Sequence, residues 1–304
     1  MKALITGSRG FVGTHLTRYL EAQGHMVLGF DYLIDPALDL RSSVSDGPLH
    51  WMMSQSDTVF HLAGTASRVF CEKRPAEALG DVVVATRVLQ ACLEYKVPCV
   101  VASSAWTYPD YASGKSHDTS FCEKEHFPIS ENTTWYGTVK MMIEQIVDKY
   151  RQMGLKATSA RFFNIYGPGQ ENAITYPGTV VTWMIKHSRE IGYVPSPQGP
   201  ARDFIYIDDV VAGMIILIKK AQRGSRLEAA YNLGSGQSVS LRTLAREVAT
   251  AVHLPLEGVE IGQVGQGEKP SAGACLCRIK EEGWAPRVDL SEGIRRTVEA
   301  MRVG

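Results

Sequence analysis

The order of this chain predicts an α/β protein: a doubly wound parallel sheet joined to a second, smaller mixed α/β domain. Three features carry that expectation. Short β-rich runs alternate with amphipathic stretches of helical length, as in a parallel sheet covered on both faces. Three glycines crowd the first strand-to-helix turn. Beyond Asn164, proline and glycine thicken, marking where the chain leaves the sheet for irregular loops.

Residues 2–6 (KALIT), 26–31 (MVLGFD), 57–63 (DTVFHLA), 99–104 (CVVASS) and 156–164 (KATSARFFN) read as strands, with helices near 12–23, 75–95 and 134–153. Gly24, after Leu20-Glu21-Ala22-Gln23, stands where a left-handed helix C-cap turns the chain back towards the second strand. Gly167-Pro168-Gly169, then Pro195, Pro197, Gly199 and Pro200, open the second domain. The doubly wound domain is expected over 1–164 and 203–234, and the smaller one over 165–202 and 235–304.

At 304 residues, 44% hydrophobic and 21% charged, the chain can bury a large core and a satellite, so disordered and fibrous classes drop out. Basic and acidic residues number 32 each and no basic run occurs, which leaves no footprint for nucleic acid or an anionic membrane. A small molecule is the expected partner. The apolar run ending at Gly7 is too brief for a signal peptide or a membrane span, so a cytoplasmic location is expected. The six cysteines show no CxxC pairing, and Cys275 and Cys277 alternate as residues on one strand face would; neither metal nor disulfide is expected.

The turn Thr6-Gly7-Ser8-Arg9-Gly10-Phe11-Val12-Gly13 follows an apolar strand and leads into a helix. Glycines there let main-chain N–H groups at the helix start approach a pyrophosphate, which points to a dinucleotide. Asp31 follows about twenty residues on, at the end of the next strand, where a carboxylate accepts from ribose hydroxyls and repels a 2′-phosphate. That favours NAD over NADP, while Arg9 within the turn can also serve a 2′-phosphate. Asp39-Leu40 would fit an adenine-edge contact, and Leu62-Ala63-Gly64 would let the cofactor cross a strand end; simple packing accounts for either equally well.

Trp135-Tyr136-Gly137-Thr138-Val139-Lys140 sets a phenol and an amine four residues apart on a predicted helix, hence on one face. An ammonium so placed favours the phenolate and equips Tyr136 as general base or acid. Ser103-Ser104, at the carboxyl edge of the sheet, supplies hydroxyls where ligands of doubly wound folds bind. His61 lies inside a buried strand and reads as a satisfied core residue; His117 is the other histidine that could serve as an acid.

TGSRGFVG (6–13), DTVFHLAG (57–64), ASSAWTY (102–108), YGTVK (136–140), RFFNIYGPGQ (161–170), RDFIYIDDVV (202–211) and YNLGSGQSVSL (231–241) together resemble the extended short-chain dehydrogenase/reductase proteins, the NAD-dependent sugar epimerase/dehydratase family, over nearly the whole chain. The resemblance implies a nucleoside diphosphate sugar as substrate. It makes Ser104, four residues before Tyr108, the hydroxyl partner of Tyr136, and gives Lys140 a hold on the nicotinamide ribose. Ala105 and Trp106 follow Ser104 in the substrate pocket. Asn164 would touch the substrate's phosphate or sugar, and Arg202 would clamp the diphosphate. Alternatively Arg202-Asp203 is an ion pair at a domain seam, and Asn164 caps a loop. Segments Pro75–Tyr95 and Thr134–Tyr150 would pair across a homodimer seam, although a buried helix would look the same.

Among reactions run on this scaffold, 4,6-dehydratases resembling this chain carry Asp-Glu after the Ser or Thr, and glucuronate decarboxylases carry Glu. Here Ala105-Trp106 stands. The expectation is a 4-epimerase working through a transient 4-keto sugar, with a 4-ketoreductase using the same residues as the alternative and a non-catalytic NAD-sensing protein behind it. Two departures bear on the substrate. Gly265-Gln266-Gly267-Glu268 replaces an RPGD-like stretch whose Arg grips the diphosphate, and Pro195 replaces an aromatic seven residues before Arg202. Trp106 either narrows the pocket for a particular sugar or packs behind the cofactor.

Overall fold

The computed structural model describes residues 1–108, 128–131, 133–172, 180–195, 201–256 and 273–303. Six parallel strands form the main sheet in the order β2 (Met26–Phe30), β1 (Lys2–Thr6), β3 (Thr58–His61), β4 (Cys99–Ser104), β5 (Ala157–Phe162) and β8 (Ala230–Leu233). The chain reverses direction of winding between β1 and β3, so ligand space is expected beyond their carboxyl ends. A second sheet pairs β6 (Asn164–Tyr166) with β7 (Phe204–Tyr206) in parallel.

Period-two alternation decides which helix each strand residue meets. Leu4, Val59, Cys99 and Val101 face a core closed by α2 (Asp46–Ser54), α5 (Gly80–Tyr95) and α6 (Trp135–Gln152). Ala3, Ile5, Phe60 and Val100 face the opposite core, closed by α1 (Phe11–Ala22) and α8 (Ile207–Gln222). That second core runs on without a break into α7 (Val180–Ile191), α9 (Leu241–Val252) and α11 (Leu290–Val303), through Met184, Val248 and Ile294. The short helices α3 (Arg68–Lys73), α4 (Pro75–Ala78) and α10 (Cys277–Glu281) complete the set among the described residues.

The expected strands and helices are present with shifted ends. The third strand stops at His61, leaving Leu62-Ala63-Gly64 as loop, and the fifth stops at Phe162 before β6 begins. The helix expected over 75–95 is α4 and α5, separated by Leu79. Gly24 has φ +73°, as its C-cap reading requires. Cys275 and Cys277 are not strand neighbours: Cys277 opens α10, and the turn brings their Sγ atoms to 2.8 Å without a disulfide between them. Alternation along the sequence misled there because a helix start, not a pleat, sets the spacing. No described helix is long and apolar enough to cross a membrane. Cys122, His117, Pro197, Gly199, Pro200 and the 265–268 stretch lie outside the described residues.

Candidate active site

The glycine turn is shaped by close approaches. Gly7 has φ +71°, and a Cβ on it would lie 2.7 Å from the Ala63 nitrogen. A Cβ on Gly13 would overlap the Gly7 carbonyl oxygen. The turn closes through Gly10 N–H donating to Gly7 O at 3.0 Å, and Gly10 caps α1, whose first turn has Phe11, Val12 and Gly13. Those leading N–H groups have no carbonyl one turn back, and no acidic side chain fills the first turn.

In front of this turn lies a cavity of about 920 Å³. Its wall brings together ten residues expected at the cofactor: Gly7, Arg9, Gly10, Phe11, Asp31, Asp39, Leu40, Leu62, Ala63 and Gly64. Asp31 is one residue past β2 and buried; its two oxygens accept from Arg9 N–H and Leu33 N–H, each at 2.9 Å. The carboxylate therefore ties the glycine turn to the end of β2, and each oxygen keeps a lone pair for a ribose hydroxyl. Asp39 is held by Arg41 at 2.7 Å, and that hydrogen bond keeps its carboxyl below the usual range, so an adenine contact would share it with a guanidinium.

Replacing Asp31 with Ala takes away the carboxylate expected at the adenosine ribose, which should weaken NAD about tenfold relative to NADP. Titrating both nucleotides into wild type and variant measures it; an unchanged ratio removes the ribose contact from the account.

Tyr136 and Lys140 sit on the first turns of α6, which Thr134 caps by accepting from Gly137 N–H at 3.0 Å. Lys140 is only 7% exposed, its Nζ is 5.8 Å from the Tyr136 ring centroid, and a Cβ on Gly64 would stand 3.7 Å from that Nζ. Among the described residues no carboxylate forms an ion pair with this buried ammonium, which stands beside Gly64 of the cavity wall. A buried charge without a partner is costly, and a hydroxylated ligand arriving along Gly64 would give it one. That, the glycine cradle and the free helix start fit a dinucleotide.

The two serines at the end of β4 face different ways. Ser103 donates to Glu144 Oε1 at 2.5 Å on the α6 side, whereas Ser104 Oγ accepts from Trp106 N–H at 3.3 Å. Ser104 is thus the one left at the sheet edge. Ala105 behind it is buried, and a Cβ on Gly137 would overlap the Trp106 carbonyl oxygen, so the Ser104–Trp106 turn packs directly against the residue after Tyr136.

Asn164 opens β6 of the second sheet, and Arg202 stands two residues before β7 in a separate bridge. The Asn164 side-chain amide donates to Asp203 O at 2.8 Å, a structural task. Arg202 bridges Val239 through both backbone bonds, 2.9 and 2.8 Å. Asp203 does not pair with it. Its buried carboxylate instead accepts from Ser235 N–H and Oγ, Gly236 N–H and Ala274 N–H, at 2.7 to 2.9 Å. Burial pushes the Asp203 pKa up, and those four donors oppose the shift.

Three residues escaped the sequence reading. Glu144 follows Lys140 by another four residues, a spacing that was visible. Asp81 accepts from Thr65 N–H at 2.6 Å beside Gly64 and lines the cavity. Arg68 stacks on Trp106, a contact between residues too far apart in the chain for any spacing to announce.

His61 is buried, its Nδ1 2.7 Å from Thr6 Oγ1. Burial, then the charge of Lys140, pushes its pKa down to about 3 from 6.5, so it stays neutral and offers no proton. Below 6.5 the unfolded chain takes a proton that the folded chain refuses, so His61 costs about 1.4 kcal/mol of stability per pH unit down to about 3. Urea midpoints at about pH 7 and about pH 4.5 should fall less steeply in His61→Gln than in wild type; parallel declines would contradict a neutral buried imidazole.

Comparison with known proteins agrees with this geometry. The sequence profile of the NAD dependent epimerase/dehydratase family matches residues 3–234. UDP-glucuronate 4-epimerase 6 of Arabidopsis thaliana is 28% identical over 98% of this chain and 71% of its own length. UDP-N-acetyl-alpha-D-glucosaminuronate decarboxylase of Bacillus cytotoxicus is 25% identical over 99% of this chain and 98% of its own. The UDP-glucose 4-epimerase of Thermus thermophilus, solved with NAD, superposes with a TM-score of 0.79 at 25% identity, covering 99% of both chains. The chain belongs to the NAD-dependent epimerase/dehydratase family, enzymes of the extended short-chain dehydrogenase/reductase type.

Proposed function

We propose that this enzyme inverts C4 of a nucleoside diphosphate sugar through a transient 4-keto sugar. The observation that carries the reading is the Ser104-Ala105-Trp106 turn. Ala105 is a buried methyl where decarboxylases and dehydratases resembling this chain hold a carboxylate, so the described site offers one proton-transfer group, Tyr136, and one charge to steer it, Lys140. Epimerisation needs no more.

Tyr136 takes the C4 hydroxyl proton and returns it after the sugar has turned over, while Ser104 hydrogen-bonds the same oxygen. NAD, when bound, supplies the hydride acceptor. Gly7, Gly10 and the N–H groups of Phe11, Val12 and Gly13 would hold its pyrophosphate, with Asp31 and Arg9 at the adenosine end, Asp39 and Leu40 beside the adenine, and Leu62, Ala63 and Gly64 under the crossing. Lys140 gains its missing partner in the nicotinamide ribose. Segments 165–202 and 235–304 would form the substrate side, with Arg202 as the candidate for the diphosphate and Asn164, at their border, beside it. Exposed Val83 on α5 and Trp135 on α6 favour a homodimer through those helices.

The test is to denature the purified protein, identify any released nicotinamide, and incubate fresh enzyme with nucleotide sugars and no added cofactor while following products by NMR. Released NAD with redox-neutral formation of the C4 epimer supports the reading. Turnover only with supplied NAD(P)H would make it a 4-ketoreductase.

A further inference from the structure

We propose that Arg68, stacked on Trp106, reads a carboxylate on the sugar, so that the preferred substrate is a nucleoside diphosphate hexuronate; this rests on the C4-epimerase reading. Arg68 opens α3, which Ser67 caps by accepting from Phe70 N–H at 3.1 Å. The residues just before it, Gly64 to Ser67, line the cavity, so Arg68 stands where the cavity wall passes into helix.

Its guanidinium carbon is 5.4 Å from the Trp106 ring centroid. Trp106 is anchored at the chemistry: its N–H donates to Ser104 Oγ, and its carbonyl abuts Gly137 beside Tyr136. Trp106 therefore joins the turn that carries Ser104, through its backbone, to a cation, through its ring.

That cation is uncommitted among the described residues. Glu72, one turn on, accepts from Trp135 N–H at 2.8 Å, and Glu77 pairs with Arg74 at 3.2 Å. Arg68 itself is exposed, without an ion pair. A guanidinium lying on an aromatic face keeps its fork of donors in a fixed plane, matched to a carboxylate. The diphosphate has its own candidate in Arg202, which bridges Val239 just before β7. The hydroxyls of a neutral hexose call for no cation near C4, whereas a sugar oxidised at C6 presents a planar anion close to it.

The experiment compares UDP-glucuronate with UDP-glucose, which differ only at C6, on wild-type holoenzyme, Arg68→Met and Arg68→Lys. Wild type should show the higher kcat/KM for C4 inversion of the uronate. Arg68→Met should lose at least about tenfold on the uronate, mostly in KM, and less than about twofold on the neutral sugar, with Arg68→Lys in between. Equal losses on both sugars, or a wild-type preference for the neutral one, overturn the assignment. Calorimetric binding of the two nucleotide sugars separates this from the reaction: a uronate preference that vanishes in Arg68→Met upholds Arg68 even if neither C4 is inverted, and equal affinities in wild type sink it.

Discussion

Tyr136→Phe is expected to lower kcat by about a hundredfold to ten-thousandfold, the range that a positioned acid or base contributes. The substitution removes one oxygen and little packing. The ring is half-buried against the core under α5 and α6, and Phe fills the same space. The glycine turn, Asp31 and Lys140 are untouched, so released nicotinamide per protein should be unchanged after denaturation. Rate and cofactor content together make the result specific: activity lost with cofactor kept isolates the proton transfer, whereas loss of both would mean that the helix start had moved. A fall in kcat of less than about tenfold would remove Tyr136 from its assigned role.

Much of this site was legible because its encoding is local. Gly7 and Gly13 announce close backbone approaches within one turn, and the structure has a positive φ at the first and an occupied Cβ position at the second. Tyr136 and Lys140 share a helix face by spacing alone. The alternation of β4 even separates Ser103 from Ser104, once the strand's inward face is known. What stayed hidden is non-local. The donors to Asp203 come from Ser235, Gly236 and Ala274, far along the chain, and no spacing rule announces four donors on one carboxylate. The neighbouring Arg202 suggested at most an ion pair as the alternative to a diphosphate clamp. Asp31 illustrates a mixed case: its position was legible, but its second task, bracing the Arg9 N–H, depends on how β2 ends beside the turn. The cysteine pair shows the opposite failure, a local pattern assigned the wrong local structure.

The largest stability effect is expected from Glu144→Leu. Tyr136, Lys140 and Glu144 lie at successive four-residue steps on α6, and the carboxylate of the third closes on Arg161 of β5 through two hydrogen bonds, 2.8 Å from Nε and 2.6 Å from Nη2. Arg161 is fully buried and Glu144 is 5% exposed. Burial opposes the guanidinium's charge, but the hydrogen bonds and charge of Glu144 outweigh it and raise the Arg161 pKa further. From Arg161 the network passes to Tyr108 Oη at 3.3 Å, on to Asn232 Oδ1 at 2.7 Å, and from the Asn232 amide to the carbonyl of Cys275 at 3.0 Å. Deleting the carboxylate strands a buried cation, which costs about 3–5 kcal/mol. It also unfastens the helix that carries Tyr136 and Lys140 from the sheet, so kcat should fall even at temperatures where the variant stays folded. Adding Arg161→Met should restore most of the stability, because an apolar pair of similar volume leaves no charge to strand. Denaturant midpoints of the two single variants and the double variant form the cycle that measures this coupling. Strict additivity would show that the pair does not act as a unit, and recovered stability without recovered rate would show that the network positions the catalytic helix as well as holding it.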